Sequence, residues 1–253
     1  MHSAVVGLIV FACVFGSAMM GLSLGKVLPD RHLDNEAKDI VKLTTGLIAT
    51  LSALVLGLLV SSAKGTFDQV NSVLTQNAVK IVVLDRVLAQ YGPETSELRA
   101  QLKKSYTEST GELTSDDRVQ LKKWDSVLGV KRLESGQFAL RALTPKNEAQ
   151  QELRSRAIQL SDEIASSRWF LIIQREGTIS VPLLVIMVFW LCVIFAAWGV
   201  FSPRNLVVVV ALLAASLSVS GATFLILEMD TPLSGWIRVS TIPIQKAIEH
   251  LDE

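Results

Sequence analysis

The stretch TTGLIATLSALVLGLLVSSAK, residues 44–64, decides how this chain is read. From Leu43 to Ala63 it holds no Lys, Arg, Asp or Glu, and a bilayer core about 30 Å thick is crossed by about 20 apolar residues of helix. A charge at the bilayer centre costs about 2.5–3.5 kcal/mol on the insertion scale, so such a run reads as a membrane span. Within it Ala49, Ala53, Gly57 and Ser61 recur every four residues, which puts them along one helix face. Small side chains in such a row let another helix approach closely, and the row is expected to be a packing face buried in protein. One position further on, Thr50, Leu54 and Leu58 form a parallel row rotated by about 100°. Around the axis of an oligomer this row would line a pore as a hydrophobic constriction that gates by dewetting. The plainer reading leaves Leu54 and Leu58 against lipid or a neighbouring helix. Periodicity by itself leaves both open.

Three further runs lack charge: Ser3 to Gly25, Gly177 to Ser202 and Asn205 to Leu227. The first is longer than the usual signal-peptide core and has no Lys or Arg before it, so it reads as a retained helix. Of the 253 residues 50% are hydrophobic and 19% charged, more apolar than soluble domains, which agrees with four spans. Net charge is zero, so no basic field exists to gather nucleic acid.

Residues 64–176 hold 17 of the 24 Lys and Arg and 15 of the 24 Asp and Glu, and are read as a soluble domain. Apolar residues at helical spacing mark one stripe at Phe67, Val70, Leu74, Ala78, Ile81 and Leu88. Another runs through Ala149, Leu153, Ala157, Leu160, Ile164 and Leu171. The first stripe stops at Gly92-Pro93, and the second starts at Thr144-Pro145, a cap followed by proline at the first helical position. Two membrane helices are thus expected to continue as long amphipathic rods. Pro93–Thr110 and Thr114–Leu128 read as shorter helices between them. The predicted organisation is residues 1–63 with spans one and two, 64–176 as the helical domain, 177–227 with spans three and four, and 228–253 as a tail with a short helix.

Several functions lack residues to carry them. His2, His32 and His250 have no metal-ligand spacing, so no metal or other cofactor is expected. Neither a Gly-rich phosphate loop nor a Gly-x-Ser-x-Gly elbow occurs, and no catalytic residue is assigned. Cys13 and Cys192 both fall in membrane runs and are read as buried apolar residues. Glu228 and Asp230 end the fourth span, where a helix C-terminus disfavours negative charge. They would bind a cation, tie the tail to a neighbouring subunit, or pair with Arg204, Arg238 or an interface lysine. Arg204-Asn205 reads as a polar turn between spans.

The segments LPDRHL (28–33), GLIATLSALVLGLLVSSAK (46–64), LDRVLAQYGPE (84–94), FSPRN (201–205) and ILEMDTPLSG (226–235) together resemble a bestrophin-like bacterial membrane family. More distantly, ALVLGLLV at 53–60 is similar to the pore-lining second helix of the bestrophin channels, and EMDTPLSG at 228–235 to their segment after the last span. Aligned on Val55-Leu56-Gly57, the resemblance puts Thr50, Leu54 and Leu58 at the apolar neck. It implies a homopentamer with a central pore, a second constriction along the cytosolic axis, and both termini and residues 64–176 in the cytoplasm, as for a bacterial inner-membrane protein. Lys and Arg near the ends of the spans are close to parity: Lys64, Lys80, Arg168, Arg175, Arg238 and Lys246 against Lys26, Arg31, Lys38, Lys42 and Arg204. Where bestrophins carry two aromatic neck residues this chain has leucine, so their anion selectivity does not transfer. Their calcium-binding acidic cluster is here WIRVSTIPIQ, without a carboxylate.

The expectation is therefore an all-α membrane protein of four transmembrane helices with a helical cytosolic domain between the second and third, bestrophin-like in fold and acting as an oligomeric ion channel in a lipid bilayer. The alternative is a non-conducting scaffold or signalling protein whose helical domain binds a partner. A secondary transporter fits less well, because no span carries a buried charge and no inverted repeat is visible.

Overall fold

A computed structural model describes residues 3–25, 35–114, 127–174 and 177–251. Among them no strand occurs, and four helices are long and apolar enough to cross a membrane. The helices are α1 (Ser3–Leu24), α2 (Asn35–Tyr91), α3 (Ser96–Thr114), α4 (Val127–Ala142), α5 (Glu148–Ile173), α6 (Val181–Phe201), α7 (Leu206–Asp230) and α8 (Ile242–Glu249). Two compact units result: residues 1–67 with 177–237, and residues 68–176 with 238–253. The spans are α1, α2, α6 and α7.

In the first unit α1 buries Val10, Val14, Ala18 and Leu22, one residue per turn, against Ile194 and Phe195 of α6 and Leu212 of α7. Glycines bring the backbones together: a Cβ on Gly21 would collide with the Ala196 carbonyl, one on Gly25 would lie 2.8 Å from Val200 O, and one on Gly199 would lie 2.8 Å from Leu22 N. GLSLG, residues 21–25, is thus a small-xxx-small contact of the kind that packs helices in lipid. Ser220 of α7 donates to Gly7 O at 2.6 Å, satisfying its buried hydroxyl. The α2 helix enters a second cluster, where Leu59 and Ala63 meet Met187 of α6 and Ile226 of α7.

In the second unit the expected stripes are mostly inside: Val70, Leu74, Ala78, Ile81 and Leu88 on α2, and Ala157, Leu160, Ile164 and Leu171 on α5. Phe67, in the first unit, and Leu153 are half-buried, and Ala149 is exposed. The α2 helix ends at Tyr91 before Gly92-Pro93, as expected, and a 3-10 turn at Pro93–Thr95 leads into α3. Thr95 Oγ1 donates to Leu88 O at 2.6 Å and closes the end of α2. Asp85 of α2, 6% exposed, receives Arg99 Nε and Nη2 of α3, both at 2.7 Å. Removing one partner of such a buried pair costs about 3–5 kcal/mol. Helix α8 buries Ile244, Ala247 and Ile248, and Leu251 after it is also buried. The carbonyls of His250 and Leu251 accept from Arg86 and Lys103, both at 2.8 Å.

Two expectations change. The cap of α5 is Asn147, whose side chain accepts Gln150 N at 2.8 Å, while Gln150 Oε1 accepts Lys146 N at 2.8 Å; this reciprocal pair starts the helix after Thr144-Pro145. The second rod is not continuous: α5 stops at Ile173 and α6 starts at Val181. Between them Gly177 adopts φ 79°, left-handed backbone no helix continues through. Helix α4 has no counterpart among the expected helices, and the one expected over Thr114–Leu128 falls largely on residues outside those described.

Candidate functional site

Helix α2 has two unlike faces within the first unit. Thr45, Ser52, Leu59 and Ala63 are buried, with Leu59 2% and Ala63 0% exposed. Leu54 and Leu58 are 67% and 61% exposed, and Thr50 is exposed beside them. Leu54 and Ala63 stand nine residues apart, about 180° around the helix, so burial on one side and exposure on the other follow from helical register. The Thr50 hydroxyl donates to Gly46 O at 3.0 Å, within its own helix.

Of the small row, Ala49 is half-buried while Ala53, Gly57 and Ser61 are exposed. A Cβ built on Gly57 meets nothing within 4 Å among the described residues. The close approach of backbones within the chain is made instead by Gly21, Gly25 and Gly199. The sequence carries this signal in GLSLG, which has the same four-residue spacing as the α2 row.

Glu228 and Asp230, both buried at the end of α7, hold backbone. Asp230 accepts Thr178 N at 3.0 Å, Thr178 Oγ1 at 2.9 Å and Ile179 N at 3.1 Å, joining the end of α7 to the residues that open α6. Glu228 Oε2 accepts Trp236 N at 2.5 Å and Ile237 N at 3.3 Å. These N–H donors supply the compensation a carboxylate needs at a helix C-terminus. The turns depend on glycine: Gly177 at φ 79° and Gly235 at φ 116° adopt backbone disfavoured for other residues, and a Cβ on either would strike the adjoining carboxylate. Thr178 Oγ1 also lies 3.2 Å from Thr66 Oγ1 of α2, so one polar chain runs from Asp230 through Thr178 to Thr66.

Arg204 does not pair with these acids. Its guanidinium donates to Leu22 O and to Ser23 O, closing the C-terminal carbonyls of α1. Asn205 beside it caps α7, its side chain accepting Val208 N at 2.9 Å. The FSPRN turn thus finishes one span and starts another, a role beyond that of a polar turn. The LPDRHL segment lies outside the described residues.

Four spans, a second helical unit and one span with a bare face define an all-α integral membrane protein. Residues 12–244 match the bestrophin-like domain, and the chain belongs to the bestrophin-like family. Membership points to ion conduction as the general class of activity, to a channel rather than an enzyme, and to an oligomer in a lipid bilayer. Neither a curated protein nor a solved structure matches the chain.

Proposed function

We propose that this chain is one subunit of a homo-oligomeric ion channel, a pentamer in a bacterial inner membrane with both termini and the 64–176 domain in the cytoplasm. In this reading α2 lines the pore, Thr50, Leu54 and Leu58 form its neck, and Ala53, Gly57 and Ser61 meet a neighbouring subunit. The observation that carries the reading is the bare face of α2. The family-like segments around Asp85, Arg204 and Asp230 make specific contacts inside the chain. The segment at 46–64 spends only one face that way and leaves Leu54 and Leu58 outward. Both a pore and a subunit contact require an outward face, and an apolar ring holds water out until it widens.

Planar bilayers test this. Purified protein conducts, and Leu54→Ala or Leu58→Ala raises the open probability or the conductance by removing methyl groups from the constriction. Silent bilayers for wild type and both variants overturn the proposal and favour the non-conducting scaffold. A monomeric or dimeric mass in mild detergent also overturns it, since neither has a central pore.

A further inference from the structure

Among the described residues the most exposed large apolar side chain is Trp236, at 86%, six residues past the end of α7. Its backbone is fixed. Glu228 Oε2 accepts the N–H groups of Trp236 and Ile237, and Gly235, at φ 116°, supplies the left-handed step that turns the chain back. The indole thereby returns along the helix the chain has just left. It meets the Phe224 ring edge to face, with centroids 6.3 Å apart and planes at 85°. Phe224 stands six residues before Asp230, about 9 Å back along α7. Leu227, the last residue of the uncharged run, lies between them.

Phe224 itself belongs to a stripe. Leu206, Val210, Leu213, Leu217 and Phe224 follow at i, i+4, i+7, i+11 and i+18, one face of α7 along nearly the whole span. The first four are exposed and Phe224 is half-buried. Branched side chains of this size hold a neighbouring helix off, whereas the α1–α6 seam of the same unit is built on Gly21, Gly25 and Gly199. The stripe is therefore a face for acyl chains, with Trp236 at the end beside Asp230. That end also carries Thr66 and Thr178, bonded to one another and, through Thr178, to Asp230, where α2 leaves the membrane unit and α6 enters it. At the opposite end Trp198 stands three residues before the last of α6 and is 48% exposed. Exposed tryptophans at both ends of the spans mark the two levels at which headgroups meet acyl chains. There an indole buries its apolar ring and offers its N–H to phosphate or ester oxygen.

We propose that residues 231–237 form a lipid-docking loop: Trp236 is seated against α7 in the headgroup–acyl boundary of the leaflet where α2 leaves, its N–H turned to an ester or phosphate oxygen of a phospholipid. The proposal goes beyond the channel reading and holds whether or not the protein conducts.

Tryptophan emission from the full chain in phosphatidylcholine vesicles tests it. The share of Trp236 is taken as the difference between wild type and Trp236→Phe and, independently, Trp236→Tyr. With bromine on the acyl chains close to the ester, that share is expected to lose most of its intensity. Bromine near the methyl ends, or iodide in the water, is expected to quench it less. A share quenched by iodide and untouched by brominated lipid overturns the proposal, because the ring then stands in water. Quenching by neither also overturns it, in favour of a second copy of the chain covering the ring. Circular dichroism and the detergent mass of both variants, expected to match wild type, separate the position of the ring from any loss of folding or assembly.

Discussion

Two glycines in the membrane should answer oppositely to enlargement. A methyl on Gly21 would run into the Ala196 carbonyl, with Ala196 Cα at 3.1 Å behind it. These are backbone atoms and cannot swing aside, so α1 and α6 must separate. Overpacking of this kind costs about 1–3 kcal/mol. A radial gap of about 0.5–1 Å also forfeits a quarter to a half of each dispersion contact along the seam, shared here by Ala18, Gly25 and Gly199. Helix propensity returns up to about 1 kcal/mol for Gly→Ala, so roughly 0–2 kcal/mol of the overpacking cost remains at the largest return, and the lost dispersion adds to it. At Gly57 the same methyl meets nothing within 4 Å among the described residues, so the isolated subunit loses no packing and keeps the propensity gain. Gly57→Leu would then act only between subunits, spreading the small-residue face. The assay pairs particle mass in mild detergent with thermal unfolding followed by circular dichroism in a detergent that dissociates the wild type. Expected are a lowered midpoint for Gly21→Ala, and for Gly57→Leu an unchanged or raised midpoint with a smaller particle. A wild-type midpoint for Gly21→Ala refutes the close α1–α6 contact, and a wild-type mass for Gly57→Leu refutes an interface at that row.

Asp230→Ala strips the acceptor from Thr178 N and Ile179 N, and hydrogen bonds to a charged group contribute about 1.5–3 kcal/mol each; thermal unfolding should show a clear loss, smaller for Asp230→Asn, which keeps one acceptor oxygen. Glu94 titrates below the ordinary carboxylate range, first because a backbone N–H bonds its carboxylate and then because Lys146 lies 3.3 Å away. A depressed folded-state pKa gives stability that is present above the unfolded value and lost as pH falls through the folded one. Unfolding midpoints of wild type and Glu94→Gln should therefore converge in acid and differ slightly near neutrality, and a difference that widens on acidification refutes the assignment.

The spans are legible in the sequence because lipid forbids charge, and soluble helices seldom run twenty residues without one. The stripes of α2 and α5 are legible for the related reason that a helix shows its buried side every three or four residues. Pairings across the chain are not. Nothing in the sequence couples Arg204 to the carbonyls of residues 22 and 23, because a carbonyl acceptor has no residue type. Asp230 is equally opaque, since its partners are backbone N–H groups of Thr178 and Ile179. The α1 glycines have a visible pattern, but the α2 row outshines it, being longer in series and lying beside leucines. The end of the α5 rod is hidden because Gly177 looks like any glycine until its φ is known. Of the candidate site, the sequence singles out the row Thr50, Leu54 and Leu58, whereas its outward position is a property of the folded chain alone.

The seating of α1 also bears on how the protein is made. Both of its partner spans, α6 and α7, are translated long after it, and the guanidinium that closes its last carbonyls sits in the turn between them. While the intervening residues are being synthesised, the glycine seam of α1 has no partner from its own chain. The glycine seam of α1 can therefore close within the chain only once the α6–α7 hairpin has been made. A ribosome paused before Val181 would leave α1 exposed to whatever the insertion machinery holds beside it.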